Sequence, residues 1–363
     1  MLPYLLMFLV PTVLALRESA RLHNLVGVVV PPVRVQSRWW LTMAILTLLV
    51  GWRYEVGGDW FNYLRSYQNA YSDSQFSVWW LNDPGYRLLE WLALQTDWGI
   101  QGVNLMAAAI FSYGLVLFCR HLPRPWLALA VAVPYLVIIL GMGYSRQGVA
   151  LGCLMAGLVG LGQGRIVSFV VWTLLGATFH KSAVLLLPMG ALAASHSRLF
   201  TTLWVSIVLA TAYVLLLEDS VEALQANYLD AEIQSEGALI RLAMNALPAA
   251  LLLWKRHHFA VTLPQQRLWF WFALASLTLV GMYFAIPSST AIDRLGLYLL
   301  PVQLMVFAYL PEVLGRKNGK GNGLWVVAVL AYYATVQFVW LNFATHANAW
   351  LPYRWYPVEV LFN

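Results

Sequence analysis

Residues 141–147, GMGYSRQ, and residues 178–183, TFHKSA, stand at the two ends of one apolar stretch, and their relation decides the fold. The first carries Arg146 and Gln147, the second His180 and Lys181. Between them the chain is broken only by Gly162-Gln163-Gly164-Arg165. A tight turn at that break predicts two antiparallel helices. Arg146 lies about 17 residues before the turn and His180 about 15 after it. At about 1.5 Å per residue both sit roughly 23–25 Å from the turn and share one level. A cation and a titratable imidazole side by side at membrane depth are costly, and the default reading of such a pair is functional.

Composition makes the membrane the setting. The chain has 363 residues, 61% of them hydrophobic and 10% charged, with a mean hydropathy of +0.67. Soluble domains run at about 45–50% apolar and about 25% charged, so the chain reads as an all-α, polytopic transmembrane bundle. Residues 1–16 are apolar and lack a basic leader and a small-residue cleavage site, so they read as a retained span. Cys119 and Cys153 both fall inside apolar segments and offer neither a disulfide framework nor metal-ligand spacing. The net charge of +6 comes from basic residues that form no stripe, which fits a membrane protein better than a nucleic-acid binder.

Twelve spans are expected, at about 1–16, 39–53, 100–119, 126–144, 147–163, 166–180, 182–195, 199–217, 239–254, 268–287, 295–314 and 324–343. With residues 17–38 in the cytoplasm and sides alternating thereafter, fourteen of the 22 Lys and Arg fall inside, and of the 16 acids only Glu18 and Glu312 do. That bias follows the positive-inside rule and puts both termini outside. Residues 166–194 as one helix would be about 43 Å long, against a hydrocarbon thickness of about 30 Å, and would invert everything downstream. Two short helices with His180-Lys181 at their tip are therefore expected. Non-helical backbone at that depth needs protein or a wet cavity around it.

The whole chain, 1–363, reads as one integral membrane domain with two long outer loops. Residues 54–99 hold twelve Trp, Tyr and Phe residues, among them Trp60, Tyr63, Tyr86 and Trp98. They fit an interfacial helix with an aromatic belt; a platform for stacking sugar rings is the second reading. Residues 218–240 carry six acids and no basic residue, as a solvated outer loop would.

Arg53, Arg146, Lys181, Arg241 and Arg294 break the charge bias, at the outer ends of several different spans. One such Arg is more often a snorkelling anchor. Several on one leaflet point to an anionic ligand, because the forked guanidinium suits phosphate oxygens. His180 is either a hydrogen-bonded structural residue or a base for a hydroxyl, a role its ordinary pKa near 6.5 suits. Asp59 and Asp293 are the other candidate bases. No Walker-type glycine loop, HExxH or DxD occurs, and no metal or cofactor is expected. The chain has no cytoplasmic domain for a nucleotide-sugar, so any substrate must arrive already activated in the membrane.

Arg53-x3-Gly57-x-Asp59-x3-Tyr63, Pro84-Gly85-Tyr86 with Asp83 before it, Ser145-Arg146-Gln147 and Phe179-His180-Lys181-Ser182-Ala183 occur in that order. Asp293-Arg294-x3-Tyr298 and Pro352-Tyr353 follow. This ordered set resembles the EpsG family of Wzy-like polysaccharide polymerases, from about residue 50 to 355. The resemblance implies a bacterial inner-membrane enzyme, GT-C-like and metal-independent, with its site facing the periplasm or cell exterior. It would link undecaprenyl-diphosphate-bound oligosaccharide units, as in O-antigen or exopolysaccharide synthesis.

Residues and resemblance together assign His180, Arg146 and Asp59 to catalysis. Arg53, Arg146, Arg241 and Arg294 are assigned to the diphosphate, and Tyr63, Gln147, Asp293, Tyr298 and Tyr353 to sugar. The implied partners are a lipid-linked donor and acceptor, membrane lipids, a flippase and a chain-length regulator, with no nucleic acid. A flippase for lipid-linked sugar, an O-antigen-ligase-type transferase and a polytopic acyltransferase remain open. A flippase is expected to show two pseudo-symmetric halves, and no internal repeat is found. Single-cysteine labelling of intact cells checks the alternation: position 350 is expected to react from outside and position 260 only after permeabilisation. Labelling of 260 from outside would contradict the twelve-span order.

Overall fold

A computed structural model describes residues 1–18, 36–72, 83–194, 203, 206, 237–285, 289–315 and 322–362. The expected span at 199–217, apart from positions 203 and 206, the acidic stretch up to 236 and the basic residues 316–320 lie outside them. Fifteen helices are described among these residues and no strand. They are α1 (Leu2–Leu16), α2 (Ser37–Gly51), α3 (Trp60–Ser72), α4 (Pro84–Gln95), α5 (Gly99–Arg120), α6 (Pro125–Ala132), α7 (Ser145–Gly162), α8 (Ile166–Phe179) and α9 (Leu187–Ala194). After the undescribed segment follow α10 (Ala238–Lys255), α11 (Leu263–Ala285), α12 (Ser289–Leu297), α13 (Pro301–Leu314), α14 (Asn322–Phe343) and α15 (Tyr356–Phe362). Four helices, α5, α10 with the turn after it, α11 and α14, are long and apolar enough to cross a membrane by themselves.

The bundle is built around helices that are hydrophobic on every side. Every residue from Pro125 to Gly141 is buried, first in α6 and then in a π-helical continuation, Val133–Gly141. In α7 all residues but Arg146 are buried. A helix apolar all round belongs in the middle of a bundle. Apolar side chains on the periphery face outward instead: Val167, Phe284, Leu324 and Phe343 are each more than 70% exposed. Such a surface suits lipid rather than water.

Small residues let the central helices touch backbone to backbone. A Cβ on Gly114 of α5 would stand 1.9 Å from the carbonyl oxygen of Gly152 in α7. One on Gly152 would stand 2.7 Å from Phe111 Cα. This is the close approach that small residues permit where no water drives helices together.

The expected hairpin is present, and so is its second bend. Gly164, at φ +77°, makes the turn between α7 and α8. Gly160 lies against Ser168, Gly157 against Phe169 and Trp172, and Gly176 against Ala150 and Cys153. Carrying that antiparallel register onward sets Arg146 beside His180. At His180 the backbone is extended, φ −155°, and α8 stops. A short 3₁₀ stretch, Lys181–Leu186, leads into α9. Gly190 of α9 then meets the ring of Phe169, so the chain has reversed about His180. The 166–194 segment is thus two short antiparallel pieces and not one long helix.

Two expectations change. Residues 54–99 contain two helices, α3 and α4, not one. The span expected over 295–314 is divided: α12 ends at Leu297, residues 298–300 turn, and α13 begins at Pro301. Proline supplies no N–H for the preceding turn and favours the first helical position, so the break falls there.

The two ends of the bundle differ. At one end Arg124 holds Glu312 through Nε and Nη2, donates to the backbone oxygen of Glu18, and Glu18 accepts from the Trp126 N–H. The two acids that go against the charge bias are therefore gathered around one arginine. At the other end the segment 349–356 runs beside 52–57, through Tyr54 N–H to Arg354 O, Tyr356 N–H to Trp52 O and Gly57 N–H to Ala349 O.

Gly152→Val is expected to cost about 2 kcal/mol or more, because backbone on the α5 side cannot move aside. Gly281→Ala, where nothing lies within 4 Å, is expected to be neutral or slightly stabilising. Thermal unfolding of the two purified variants in one detergent checks the contrast; equal midpoints would refute it.

Candidate functional site

Arg146 is the first side chain of α7 to leave the wholly buried interior, and the residues around it make the site. Its Nη1 donates to Asp83 Oδ2 at 3.2 Å and its Nη2 to Ser66 Oγ at 3.3 Å. The guanidinium carbon lies 4.8 Å from the centre of the Tyr86 ring and 5.6 Å from that of Tyr63. Two ring faces and a carboxylate are what a poorly hydrated cation needs. Arg146 Nε and the Tyr86 hydroxyl are buried without a hydrogen-bond partner among the described residues.

The aromatic-rich segment 54–99 supplies this cradle. Trp60, Tyr63, Tyr86, Leu89 and Ala93 form a small apolar cluster with Val149 and Cys153 of α7 and Phe179 of α8. Gly85 is required there, because a Cβ would stand 2.4 Å from Thr178 Oγ1 at the end of α8. Gly57 is required by its φ of +111° and by the Met142 carbonyl, 2.3 Å from where a Cβ would be. Asp83 precedes α4 in the left-handed region, φ +50°, a strained setting for a non-glycine residue. Behind Ser66 the carboxylate of Glu90 is fully buried; it accepts from Ser66 and, at 2.7 Å, from Arg87. Burial pushes the carboxyl groups of Asp83 and Asp59 above their ordinary range, and the neighbouring Arg146 opposes that shift in both.

The hairpin tip forms the next wall. Lys181 stands on this wall, and its positive charge acts on Asp83 together with that of Arg146. The His180 ring stacks on Tyr298, with centroids 6.4 Å apart, and Ser182 Oγ donates to the Tyr298 hydroxyl at 3.2 Å. The charges of Arg294 and Arg146 both act on His180, and both also act on Asp59. The two candidate bases thus share the same pair of cations.

α12 brings the remaining residues. Arg241 of α10 grips Asp293 through Nε and Nη2, each at 2.7 Å. Gln147 donates to the backbone oxygen of Arg294 at 2.9 Å, so it positions α12. A buried chain holds α12 from behind: Tyr333 donates to Gln303, Gln303 to Asn245, and Asn245 to the Gly296 carbonyl.

The structure therefore draws together Asp59, Tyr63, Arg146, Gln147, His180, Arg294 and Tyr298, with the Arg241–Asp293 pair beside them. Two of the expected residues sit elsewhere. Arg53 is 1% exposed and donates to Val50 O, Val56 O, Asn104 Oδ1 and Ser145 Oγ. It is a buried tie beneath the cluster, one residue behind Arg146. Tyr353 gives its hydroxyl to the Leu49 carbonyl and packs on Tyr4, so it fastens the C-terminal segment to α2. Asp83, Ser66 and Glu90 were not assigned to the site from sequence. The acid before Pro84-Gly85-Tyr86 was the only signal for Asp83, and nothing marked Ser66 or Glu90. Among the described residues no three His, Cys, Asp or Glu side chains are grouped so as to hold a metal ion.

Fold and site define a helical membrane protein with a cation-rich polar cluster at one end of its central hairpin. The chain matches the EpsG family over residues 39–355, most of its length, and it belongs to that family. EpsG is a Wzy-like polymerase family, which makes the protein a polysaccharide polymerase of bacterial membranes, a glycosyltransferase-type enzyme. No curated protein and no solved structure matches the chain.

Asp83→Asn and Arg146→Gln test the central pair. A double-mutant cycle on thermal stability is expected to give a coupling of about 1.5–3 kcal/mol, the range for hydrogen bonds to charged groups. A coupling near zero would mean that the two side chains do not hold each other.

Proposed function

We propose that the protein polymerises undecaprenyl-diphosphate-linked oligosaccharide units on the outer side of the bacterial inner membrane, by a metal-independent, inverting transfer on a GT-C-like twelve-span bundle. The observation that carries this reading is the gathering of Arg146, Arg294, His180 and Asp59 at the tip of the α7–α8–α9 hairpin. α8 has 14 residues, about 21 Å of helix, against a hydrocarbon layer of about 30 Å. With α8 starting at the inner surface, that tip would lie recessed below the outer surface, where an amphiphile could reach it.

The donor diphosphate binds between Arg146, Arg294 and Lys181, with Arg146 Nε, which has no hydrogen-bond partner among the described residues, turning to a phosphate oxygen. These cations stabilise the charge that develops on the leaving diphosphate. The acceptor is a hydroxyl on the terminal sugar of a second lipid-linked unit. His180 takes its proton as the oxygen attacks the anomeric carbon from the face opposite the diphosphate. The anomeric C–O bond to phosphorus breaks, and its electrons leave with undecaprenyl diphosphate. Tyr63 lines the sugar, and Tyr298 stands on the opposite side of the diphosphate, toward α11. The Arg241–Asp293 pair neutralises itself and shapes the wall, which makes Asp293 a poor base. Arg53 and Tyr353 act through position alone. A flippase supplies the units, and a chain-length regulator sets when the polymer is released.

His180→Gln is expected to lower the polymerisation rate on the order of 10²–10⁴-fold, the usual worth of general-base help. Asp59→Asn is expected to lower it less. Arg146→Lys and Arg294→Lys are expected to recover little, since a point charge lacks the fork. The assay is purified protein with a lipid-diphosphate oligosaccharide, read as a polymer ladder. Full activity in His180→Gln with loss in Asp59→Asn would move the base to Asp59; a single transfer or mere translocation would replace polymerisation by the ligase or flippase reading.

A further inference from the structure

We propose that the groove between α9 and α11 holds the head-proximal part of the polyprenyl tail of the lipid-linked substrate. The proposal rests on the polymerase reading for the identity of the headgroup. The groove is an apolar cavity of about 430 Å³, within the size range of ligand pockets. Leu185 and Leu192 line one side, Leu274, Ala275 and Leu279 the other, and Leu299 closes its inner wall. Along α11 it extends from Trp271 to Leu279, about 12 Å of helix.

Its polar end decides the occupant. Ser182 and Tyr298, hydrogen-bonded to each other, stand where the groove meets the site. Ser182 follows Lys181 directly, and the groove residue Leu295 follows Arg294 directly. His180 stacks on Tyr298 at the same point. The chain therefore passes from a cation to the lining of the groove within one residue on two separate elements. A molecule that fits carries an anionic head on Lys181, Arg294 and Arg146 and a hydrocarbon chain running between α9 and α11. Leu185 and Leu274 are each nearly 40% exposed, so the groove opens sideways at the bundle surface and a long tail can continue into lipid.

The occupant is taken to be the substrate's own tail and not a bulk phospholipid, because the groove starts at the catalytic cluster itself. In this arrangement the tail fixes which way the diphosphate points. The sugar then lies on the side of Asp59 and Tyr63, away from α11.

The test uses the full chain in phosphatidylethanolamine–phosphatidylglycerol nanodiscs and a polyprenyl diphosphate carrying a diazirine in its second isoprene unit. After irradiation, adducts are expected within 185–192 and 271–279. An excess of unlabelled polyprenyl diphosphate should abolish them, and added phosphatidylglycerol should not. Ala275→Trp and Leu192→Trp, which fill the groove, are expected to cut labelling about tenfold; the adduct map is read on the unaltered chain and does not depend on those variants folding. Adducts elsewhere, or equal competition by phosphatidylglycerol, would overturn the proposal. Polymer formation with adducts elsewhere would sink the groove alone. Groove adducts without any polymer from a lipid-diphosphate oligosaccharide would sink the polymerase reading and leave the groove standing.

Discussion

The structure depends on accommodating one positive charge, Arg146, at the end of a helix that is otherwise wholly buried. A cation in such a place must be surrounded by groups that replace water. Here the replacement comes from a different part of the chain: Asp83, Ser66 and the faces of Tyr63 and Tyr86, all from the segment between α2 and α5. That requirement folds the segment down onto the hairpin. Gly57 and Gly85 permit the contact, and Arg53 beneath holds the loop that carries Gly57. The Asp59–Tyr63, Asp83–Tyr86 and Ser145–Gln147 pieces of the ordered motif are thus neighbours in space around one charge, whereas Tyr353 is fastened to α2.

The same logic separates the arginines. Arg53 satisfies its donors on carbonyls, Asn104 and Ser145 in the interior, while Arg241 spends its fork on Asp293. Arg146 keeps one buried N–H without a hydrogen-bond partner among the described residues. Ion pairing at 2.7 Å and a bare donor are different states of readiness for an incoming anion. Gln147 on one side and Asn245 on the other hold the backbone of α12, the helix that carries Arg294.

The hairpin was legible because its signals are local. Gly162-Gln163-Gly164-Arg165 marks a turn, and the polar pairs on either side give the level by simple counting. The reversal at His180 was legible from membrane thickness and charge bias together. The split at residues 298–300 was not, because Tyr298-Leu299-Leu300 is as apolar as the helices beside it and Pro301 reads equally as a helix start or a kink. The burial of Glu90 was invisible for another reason. A glutamate in an aromatic-rich segment looks solvated; its local partner Arg87 lies three residues earlier on α4, but the Ser66 hydroxyl that also meets the buried carboxylate comes from α3. Arg53 shows the converse: by charge bias it belonged with the ligand-binding arginines, and its interior acceptors became evident only in three dimensions.

The central claim is that the hairpin tip binds a lipid diphosphate between Arg146 and Arg294. A cryo-EM map of the full chain in nanodiscs with a non-hydrolysable phosphonate analogue of a polyprenyl-diphosphate oligosaccharide measures it directly. The account predicts density for both phosphorus atoms within hydrogen-bonding range of Arg146 and Arg294, with the first sugar toward Asp59. Phosphorus density at the opposite end of the bundle, beside Arg124, with the tip unchanged, would contradict it.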